Sequence, residues 1–568
     1  MTTEMFQHTW RFSFFLFFLF FINCATIELP KSVNQVTDGG IIELSLSNYN
    51  KSIKEDQAFI QLVNIDKSTN LAINVNDIPI GVTFIIIQAH AHLYNISMSY
   101  AKTTVNDVPG KSITGTNIGL FVETTDSRST SVYVTNGNNF QVDSLIAVVA
   151  YTNDAPYSGG CNMEFEIEKS PFQKLIYSKA TVTVDAQPAS VPKIGNVQPI
   201  CEKYPLQHDA YRMYLPEQDF SNETYFLAIA NMLTVRDIQK NADPIPASLF
   251  GSAMRRVYSL YSGTGSVYGM IAHFANRSSA YVPITTYGCD PSSGSPSCSH
   301  LTTSFEKVLC AITFFIGMFV AMRGQYFFKI SMFLLGMVTG GYIGWTIGVS
   351  IGTFDVTGLM LIAIFISIIT SLIWLLLWMT LSSPIPSLIF SGLSLGSLLF
   401  FIFYFSVPAG ALYLEVDAYF WLLYTTTIIV VILTFSVIPL TGNILCFTVL
   451  GAYASVLSID YYSNSNLKYI LVNSIRRITV DNFKVAVIDP PCQDKDILLV
   501  IFWVFLVILG LYKQCATNWN RTPFPPSISH LVHDTERTSL LPPSRYQQKY
   551  GSSNRNNRRQ SYLQIFSD

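Results

Sequence analysis

Apolar and polar positions change their rhythm twice along this chain. Up to about Ser304 they alternate in short β-branched and aromatic runs between turn residues. From Val308 to Tyr512 long apolar runs dominate, and after Lys513 the sequence turns polar and basic. A half-buried strand alternates, whereas a lipid-embedded helix is apolar all round, so the first rhythm predicts strands and the second membrane spans. The third, rich in Pro, Ser, Asn and Arg from Gln514 onward, carries too little apolar surface to offset the entropy of ordering. It predicts a disordered tail.

Strand-like runs lie at Ile41–Leu46, Val82–Gln88, Ile118–Glu123, Ser131–Thr135, Leu145–Tyr151, Met163–Ile167 and Thr181–Val184. Their spacing reads as an antiparallel sandwich. A Pro- and Gly-containing linker, Gln187–Pro205, marks the start of a second module. There Tyr225–Gln239 has helical character, while Arg256–Leu260, Val267–Phe274 and Ala280–Thr286 are strand-like. The expected fold is a β-rich ectodomain of two sandwich-like modules, 26–186 and 187–304, followed by an all-α bundle of about seven transmembrane helices over 305–512. A tail, 513–568, follows.

The apolar runs suited to spanning are Phe305–Met322, Phe327–Ile351, Val356–Leu381, Ile385–Val407, Tyr419–Pro439, Ile444–Ile459 and Ile497–Tyr512. Crossing the hydrocarbon core takes about 20 helical residues. The first, sixth and seventh runs are shorter and need flanking residues such as Lys307 and Lys513 to snorkel. The count is therefore seven, with six and eight open. Arg323, Lys329, Lys513 and Arg521 fall on one side and Asp355, Glu415 and Asp417 on the other, which the positive-inside rule reads as N-terminal half outside and C-terminus cytosolic. One outer loop, Asp460–Asp496, breaks the pattern with Lys468, Arg476, Arg477, Lys484 and Lys495. Within it, Leu467–Ile478 reads as an amphipathic helix lying on the membrane surface.

Composition sharpens this picture. The 568 residues are 49% hydrophobic but only 13% charged, against about 25% charged in soluble domains. A net charge of -2 gives no basis for a nucleic-acid partner. Arg11 precedes the apolar run Phe12–Ile22, followed by the small residues Cys24 and Ala25, which is the layout of a signal peptide over 1–25. Four glycosylation sequons follow, at Asn50, Asn95, Asn222 and Asn276. Cys161, Cys201, Cys289 and Cys298 are the four cysteines of the mature ectodomain, an even number in an oxidising compartment. Three pairings are open, and proximity favours Cys161–Cys201 with Cys289–Cys298. No CxxC spacing supports zinc instead.

The chemistry that remains is thin. His90 and His92 form an HxH pair whose side chains share a strand face, as two metal ligands would, yet no third ligand is evident. In the second span Gly336, Gly340, Gly344, Gly348 and Gly352 recur every fourth residue. That spacing lines one helical face and lets a neighbouring backbone come close. Gly392 and Gly396, with Ser387 and Ser391, point to the fourth span as its partner. Gly392-Leu393-Ser394-Leu395-Gly396 matches the GxSxG nucleophile pattern, but it sits inside an apolar helix without a histidine base. The spans contain essentially no Asp, Glu, Lys or Arg, which argues against proton relays and charge-lined channels. Neither DRY nor NPxxY occurs at the span ends, and two cytosolic connections, Ser382–Pro384 and Thr441–Asn443, are tight turns. Nothing here is catalytic, and no cofactor is required; a transporter or channel for an uncharged or lipid-like substrate and a seven-span ligand-binding receptor are the alternatives to a protein that acts through interactions. The expected partners are the lipid bilayer and an unidentified ectodomain ligand or protein, with oligomerisation open.

The tail carries an acidic dileucine signal, Glu536 with Leu540 and Leu541, and a tyrosine signal, Tyr562 with Ile565. Peptides of both kinds bind clathrin adaptors in extended form, so endosomal or lysosomal routing is expected.

Several segments together resemble the transmembrane 7 superfamily member 3 family. They are Tyr151-Thr152-Asn153-Asp154-Ala155-Pro156 with Gly159–Phe165, then Asn276–Cys289 with Cys298, Phe314–Gly341, Ser458–Tyr462, and Glu536–Leu541. Their collinear order carries the likeness, and the membrane half is also similar to transmembrane protein 198. The resemblance implies a non-enzymatic membrane protein linked to cell survival and protein-folding stress.

Overall fold

The computed structural model describes residues 33–518 apart from short internal stretches (38, 51–55, 103–111, 125–127, 162–170, 179, 193–200, 292–297, 299–300, 302–303, 353, 382–384 and 408–410), together with Phe524. The segment read as a signal peptide, the strand read at Met163–Ile167 and both tail signals lie outside the described residues. The chain forms two compact units. One holds the N-terminal half together with Phe403–Phe420 and Asp460–Ile497, and the other holds the remaining membrane-half residues.

The first module runs through β1 (Val33–Val36), β2 (Ile41–Ser45), β3 (Gln57–Ile65), β4 (Asn70–Asn76) and β5 (Phe84–Ala91). It continues through β6 (Ile96–Ser99), β7 (Ser112–Gly115), β8 (Asn117–Glu123), β9 (Thr130–Thr135) and β10 (Val142–Tyr151). Two five-stranded sheets result, ordered β1-β3-β10-β5-β8 and β2-β4-β9-β6-β7. The pairing is antiparallel except at β1–β3 and β2–β4, which run parallel. Strand β4 alternates buried and partly buried residues along its length, as a strand with one wet face should. Ile85, Ile87, Val148 and Ile146 of one sheet meet Leu71, Ile73, Val132 and Val134 of the other in the sandwich core.

Strand β5 departs from alternation because it is buried on both faces. Its other face, with Phe84 and Ile86, joins Leu145, Ala147 and Val149 in a second core shared with the second module. That module contains β11 (Gln173–Tyr177), β12 (Thr181–Ala186), β13 (Gln207–Glu217), α1 (Asn222–Ala230), α2 (Val235–Asn241) and β14 (Asp243–Ile245). It ends with β15 (Arg255–Ser259), β16 (Thr264–Phe274), β17 (Arg277–Ala280) and β18 (Ile284–Thr286). Its sheets are ordered β11-β12-β15 and β14-β13-β16-β17, with β18 also on β16. Tyr225, Ile229 and Met232 around α1, with Val267 and Ile271, cover the outer face of the first module. At Gly119 a side chain would strike the Val282 methyl at 2.5 Å, so this close approach needs glycine.

Two sequence expectations are corrected here. The boundary read at residues 186 and 187 cuts a sheet, because β12 pairs residue for residue with β15, from Thr181–Ser259 to Asp185–Arg255. The second module therefore begins before β11. The helix read over Tyr225–Gln239 is two helices, since Thr234 starts a new one by accepting the Asp237 N–H at 3.1 Å.

The membrane half supplies seven helices long and apolar enough to span, among the described residues. They are α3 (Ser304–Arg323), α4 (Phe328–Ile351), α5 (Val356–Leu381), α6 (Ile385–Phe405), α7 (Asp417–Val437) and α8 (Pro439–Ser463). A short helix, α9 (Tyr469–Thr479), precedes the seventh, α10 (Asp494–Asn518). The three runs that looked short become helices of 20, 25 and 25 residues, because each continues through polar residues at its ends. The turn between the fifth and sixth spans falls at Ile438 rather than Thr441–Asn443. Pro439 opens α8, where its missing N–H leaves no bond unmade. At the other end, α10 continues to Asn518, beyond the point where disorder was expected to begin.

Candidate functional site

Two loops of the membrane half are built into the unit that holds the second module. The longer, Asp460–Ile497, begins at the end of α8, where Asp460 accepts the N–H groups of Leu467 at 2.8 Å and Lys468 at 3.0 Å. Lys468 folds back, its Nζ 3.7 Å from the Asp460 carboxylate, with the two side chains 2% and 0% exposed. Burial pulls the Lys468 pKa down, and the neighbouring Asp460 opposes that. Its ammonium also donates to the Ser465 carbonyl. Ser465 and Asn466 then donate to Asp496 at the head of α10, Asn466 through its N–H at 2.9 Å.

From this knot the loop grips β13. Asn466 Nδ2 donates to Glu217 Oε1, and Glu217 N–H donates to Gln493 Oε1 at 2.6 Å. Burial, then the hydrogen bond and charge of Asp496, raise the Glu217 carboxyl to about 8, so it stays protonated at neutral pH. Arg212, 1% exposed, meets Asp489 at 2.5 Å. Its guanidinium stands 4.4 Å from the Tyr214 ring centroid and 5.4 Å from that of Tyr258. Asp489 further accepts from Tyr214 through its backbone carbonyl at 2.8 Å.

The same loop extends a sheet. Val487 donates to Val257 O and accepts from Ser259 N, both at 2.9 Å, which covers the open edge of β15. Asn473 of α9 accepts from Ser259 Oγ at 2.9 Å, and Arg476 donates to Leu260 O at 2.8 Å. The amphipathic helix is thus seated on the second module. The shorter loop joins through Glu415, which accepts from Ser248 Oγ at 2.8 Å and Leu249 N–H at 2.9 Å, and through Asp417, which accepts from Arg477 at 2.6 Å.

Lys468, Arg476 and Arg477 are therefore held inside a folded unit. None of these pairings was legible in sequence, because the partners of Arg212 and Glu217 lie hundreds of positions away.

The disulfides pair Cys161 with Cys201 and Cys289 with Cys298. Asn50, Asn95, Asn222 and Asn276 are all exposed. Asn222 differs from the rest in that its amide bridges the modules, with Oδ1 2.6 Å from His92 Nδ1 and Nδ2 donating to Asp143 at 2.9 Å. The HxH pair does not converge on a site. His90 is buried between Gln88 and Asn117, each at 3.0 Å, and burial pushes it down to about 4, so its ring is neutral.

In the second span the glycines at 336, 340, 344 and 348 face α5, not the fourth span. A Cβ on Gly336 would lie 2.8 Å from Ser371 Cα, and one on Gly344 would lie 3.0 Å from Ala363 Cα. Gly352 leaves the ladder: it caps α4 in the left-handed conformation, φ 72°, with open space where a side chain would project. Gly392 and Gly396 pack on α7 at Ile432 and Ile428. Ser394 of the GxSxG match donates to Phe390 O within α6 at 2.9 Å. A second small-residue seam, with no regular spacing to mark it in the sequence, has Gly317 facing Gly451 and Ser455, and Gly510 facing Ala321. Gln514 closes it by donating to Ala321 O at 2.8 Å and accepting from Gln325 N–H at 2.8 Å.

Comparison with known proteins matches the chain in three consecutive stretches. Residues 51–151 match the TM7SF3-like N-terminal immunoglobulin-like domain, 156–292 the TM7SF3-like second immunoglobulin-like domain, and 310–515 the TM7S3/TM198-like domain. Human (Homo sapiens) transmembrane 7 superfamily member 3 is 27% identical over 486 residues, covering 83% of this chain and 84% of that protein. The mouse (Mus musculus) protein of the same name is 26% identical, covering 85% and 87%.

Proposed function

We propose, from the premise that the chain belongs to the transmembrane 7 superfamily member 3 family, that it is a non-enzymatic recognition protein. Its two immunoglobulin-like modules bind a ligand or protein partner on the lumenal or extracellular side, in support of cell survival under protein-folding stress. The observation that carries this reading is the joint itself. Arg212 and Glu217 of the second module are bonded to Asp489, Asn466 and Gln493, and that loop is continuous in sequence with α8 and α10. A ligand that shifts β13 thereby acts on residues that lead directly into two spans.

The same reading places the N-terminal half outside and the C-terminus in the cytosol. Glycans are borne at Asn50, Asn95 and Asn276, while the Asn222 amide holds the modules together. Glu536, Leu540 and Leu541, with Tyr562 and Ile565, recruit clathrin adaptors, so the protein moves between the plasma membrane and the endosome–lysosome system. A transport path along the glycine face of α4 is not favoured, because Ser371, Thr370, Ala363 and Leu359 fill it.

Proximity labelling from the lumenal side of living cells tests the recognition role. The intact chain is expected to label a set of neighbours that is lost when residues 26–304 are deleted. An unchanged set would refute recognition by the ectodomain. In liposomes, solute or lipid flux that depends on Gly344 would replace this reading with transport. For routing, Leu540→Ala with Leu541→Ala should retain the protein at the cell surface, and an unaltered distribution would refute that signal.

A further inference from the structure

The loop between β14 and β15 is turned inside out relative to a loop in water. From Pro246 to Met254 it reads Pro-Ala-Ser-Leu-Phe-Gly-Ser-Ala-Met, nine residues without a charge. Its large side chains are uncovered, Leu249 being 56% exposed and Phe250 48%. Its polar groups are the ones turned toward the protein. Ser248 Oγ donates to Glu415 Oε2 at 2.8 Å, and the Leu249 N–H donates to the same oxygen at 2.9 Å. The Phe250 N–H donates to Ser248 Oγ at 3.1 Å. Gly251 turns the chain back at φ 115°, a conformation open to glycine, and Ala253 O accepts from Arg256 at 2.6 Å. A loop facing water gains by the opposite arrangement, since each apolar side chain left uncovered forfeits its burial free energy.

The place where the loop is tied says what covers it. Glu415 lies between α6, which ends at Phe405, and α7, which begins at Asp417. Both helices are long and apolar enough to span. Residues just ahead of a span lie at the boundary between headgroups and hydrocarbon, where tyrosine is favoured. Tyr413 and Tyr419 are exposed on either side of Glu415. Phe250 is held to the same level from a second direction. Lys484 Nζ stands 5.5 Å from its ring centroid and 3.8 Å from the carboxylate of Asp417 at the head of α7. The loop, Glu415, Lys484 and the first turn of α7 all belong to one compact unit.

We infer that Leu249 and Phe250 form a lipid-binding foot, through which the second module rests on the membrane leaflet that α7 enters. The two side chains sink into the boundary between headgroups and acyl chains, while Glu415 fixes the backbone behind them. The loop brings no charge of its own, so zwitterionic lipid suffices. Lipid is favoured over a second copy of the chain or a soluble protein because the foot is pinned level with the start of a span, where lipid is always present. The inference needs only that α6 and α7 cross the bilayer, and it goes beyond the recognition role.

The test reconstitutes the full chain in phosphatidylcholine vesicles, with a benzophenone-bearing phenylalanine analogue placed at position 249 or, separately, at 250. Both positions are exposed, so the fold accommodates the larger ring. After illumination, mass spectrometry of the peptide that carries the analogue identifies what it has captured. Lipid adducts are expected at both positions. With the analogue at 250, Leu249→Glu should lower their yield on the order of fivefold, because a carboxylate draws the loop back toward water. Adducts with a second copy of the chain in place of lipid, or capture of neither, overturn the proposal. So does a yield of lipid adducts that is indifferent to Leu249→Glu.

Discussion

Arg212 shows what a single side chain contributes to the joint. Its charge is buried against Asp489 and two phenol rings, and removing one partner of such a pair typically costs about 3–5 kcal/mol. Arg212→Ala should therefore lower the unfolding temperature of the full chain in nanodiscs, and a loss under about 0.5 kcal/mol would show that the pair holds nothing together. Glu217 gives a pH signature. Folded, it keeps its proton up to about 8, whereas unfolded it releases it near 4.5. Between those values the folded state binds more protons, so this contribution to stability is full below the window and falls as pH rises through it. Glu217→Gln should flatten that part of the stability profile, and an unchanged slope would refute the assignment. Neither residue stood out in the sequence. Gln207–Glu217 mixes charged and aromatic positions too evenly to show a buried face, because its partners are polar loop residues.

Helices and strands were legible where one solvent or one lipid phase set the pattern. β5 reads in the sequence as an apolar run, but a run of that length does not say what covers its second face. In the membrane half, the fourfold glycine spacing marked a packing face, while the identity of the facing helix depended on the bundle. α5 is its partner because Ser371, Thr370 and Ala363 lie opposite with small or branched side chains. Gly340→Val should push α4 and α5 apart and cost about 1–3 kcal/mol. Gly352→Ala, in open space but at φ 72°, should cost about 1 kcal/mol through backbone strain alone. Thermal unfolding of the two variants checks the order, and a larger loss at Gly352 would refute the packing account.

The molecule as a whole divides differently from its sequence. Composition suggests that the N-terminal half ends near Ser304, yet Phe403–Phe420 and Asp460–Ile497 join it in one compact unit. A fragment spanning 26–304 would leave Arg212 and Glu217 without their loop partners. It should unfold roughly 10 °C below the same modules in the full chain, and a peptide covering 460–497 should restore part of the difference. Equal unfolding temperatures, measured by near-ultraviolet circular dichroism, would show that the loops merely rest against a finished domain.

That late completion has a consequence for biosynthesis. Arg212 and its acceptor Asp489 are separated by 277 positions, and ribosomes add about 5–20 residues per second. For tens of seconds the nascent second module must stand with a buried-type cation and an uncovered strand edge exposed to its surroundings. Truncation before Val487 and Asp489 would make that interval permanent.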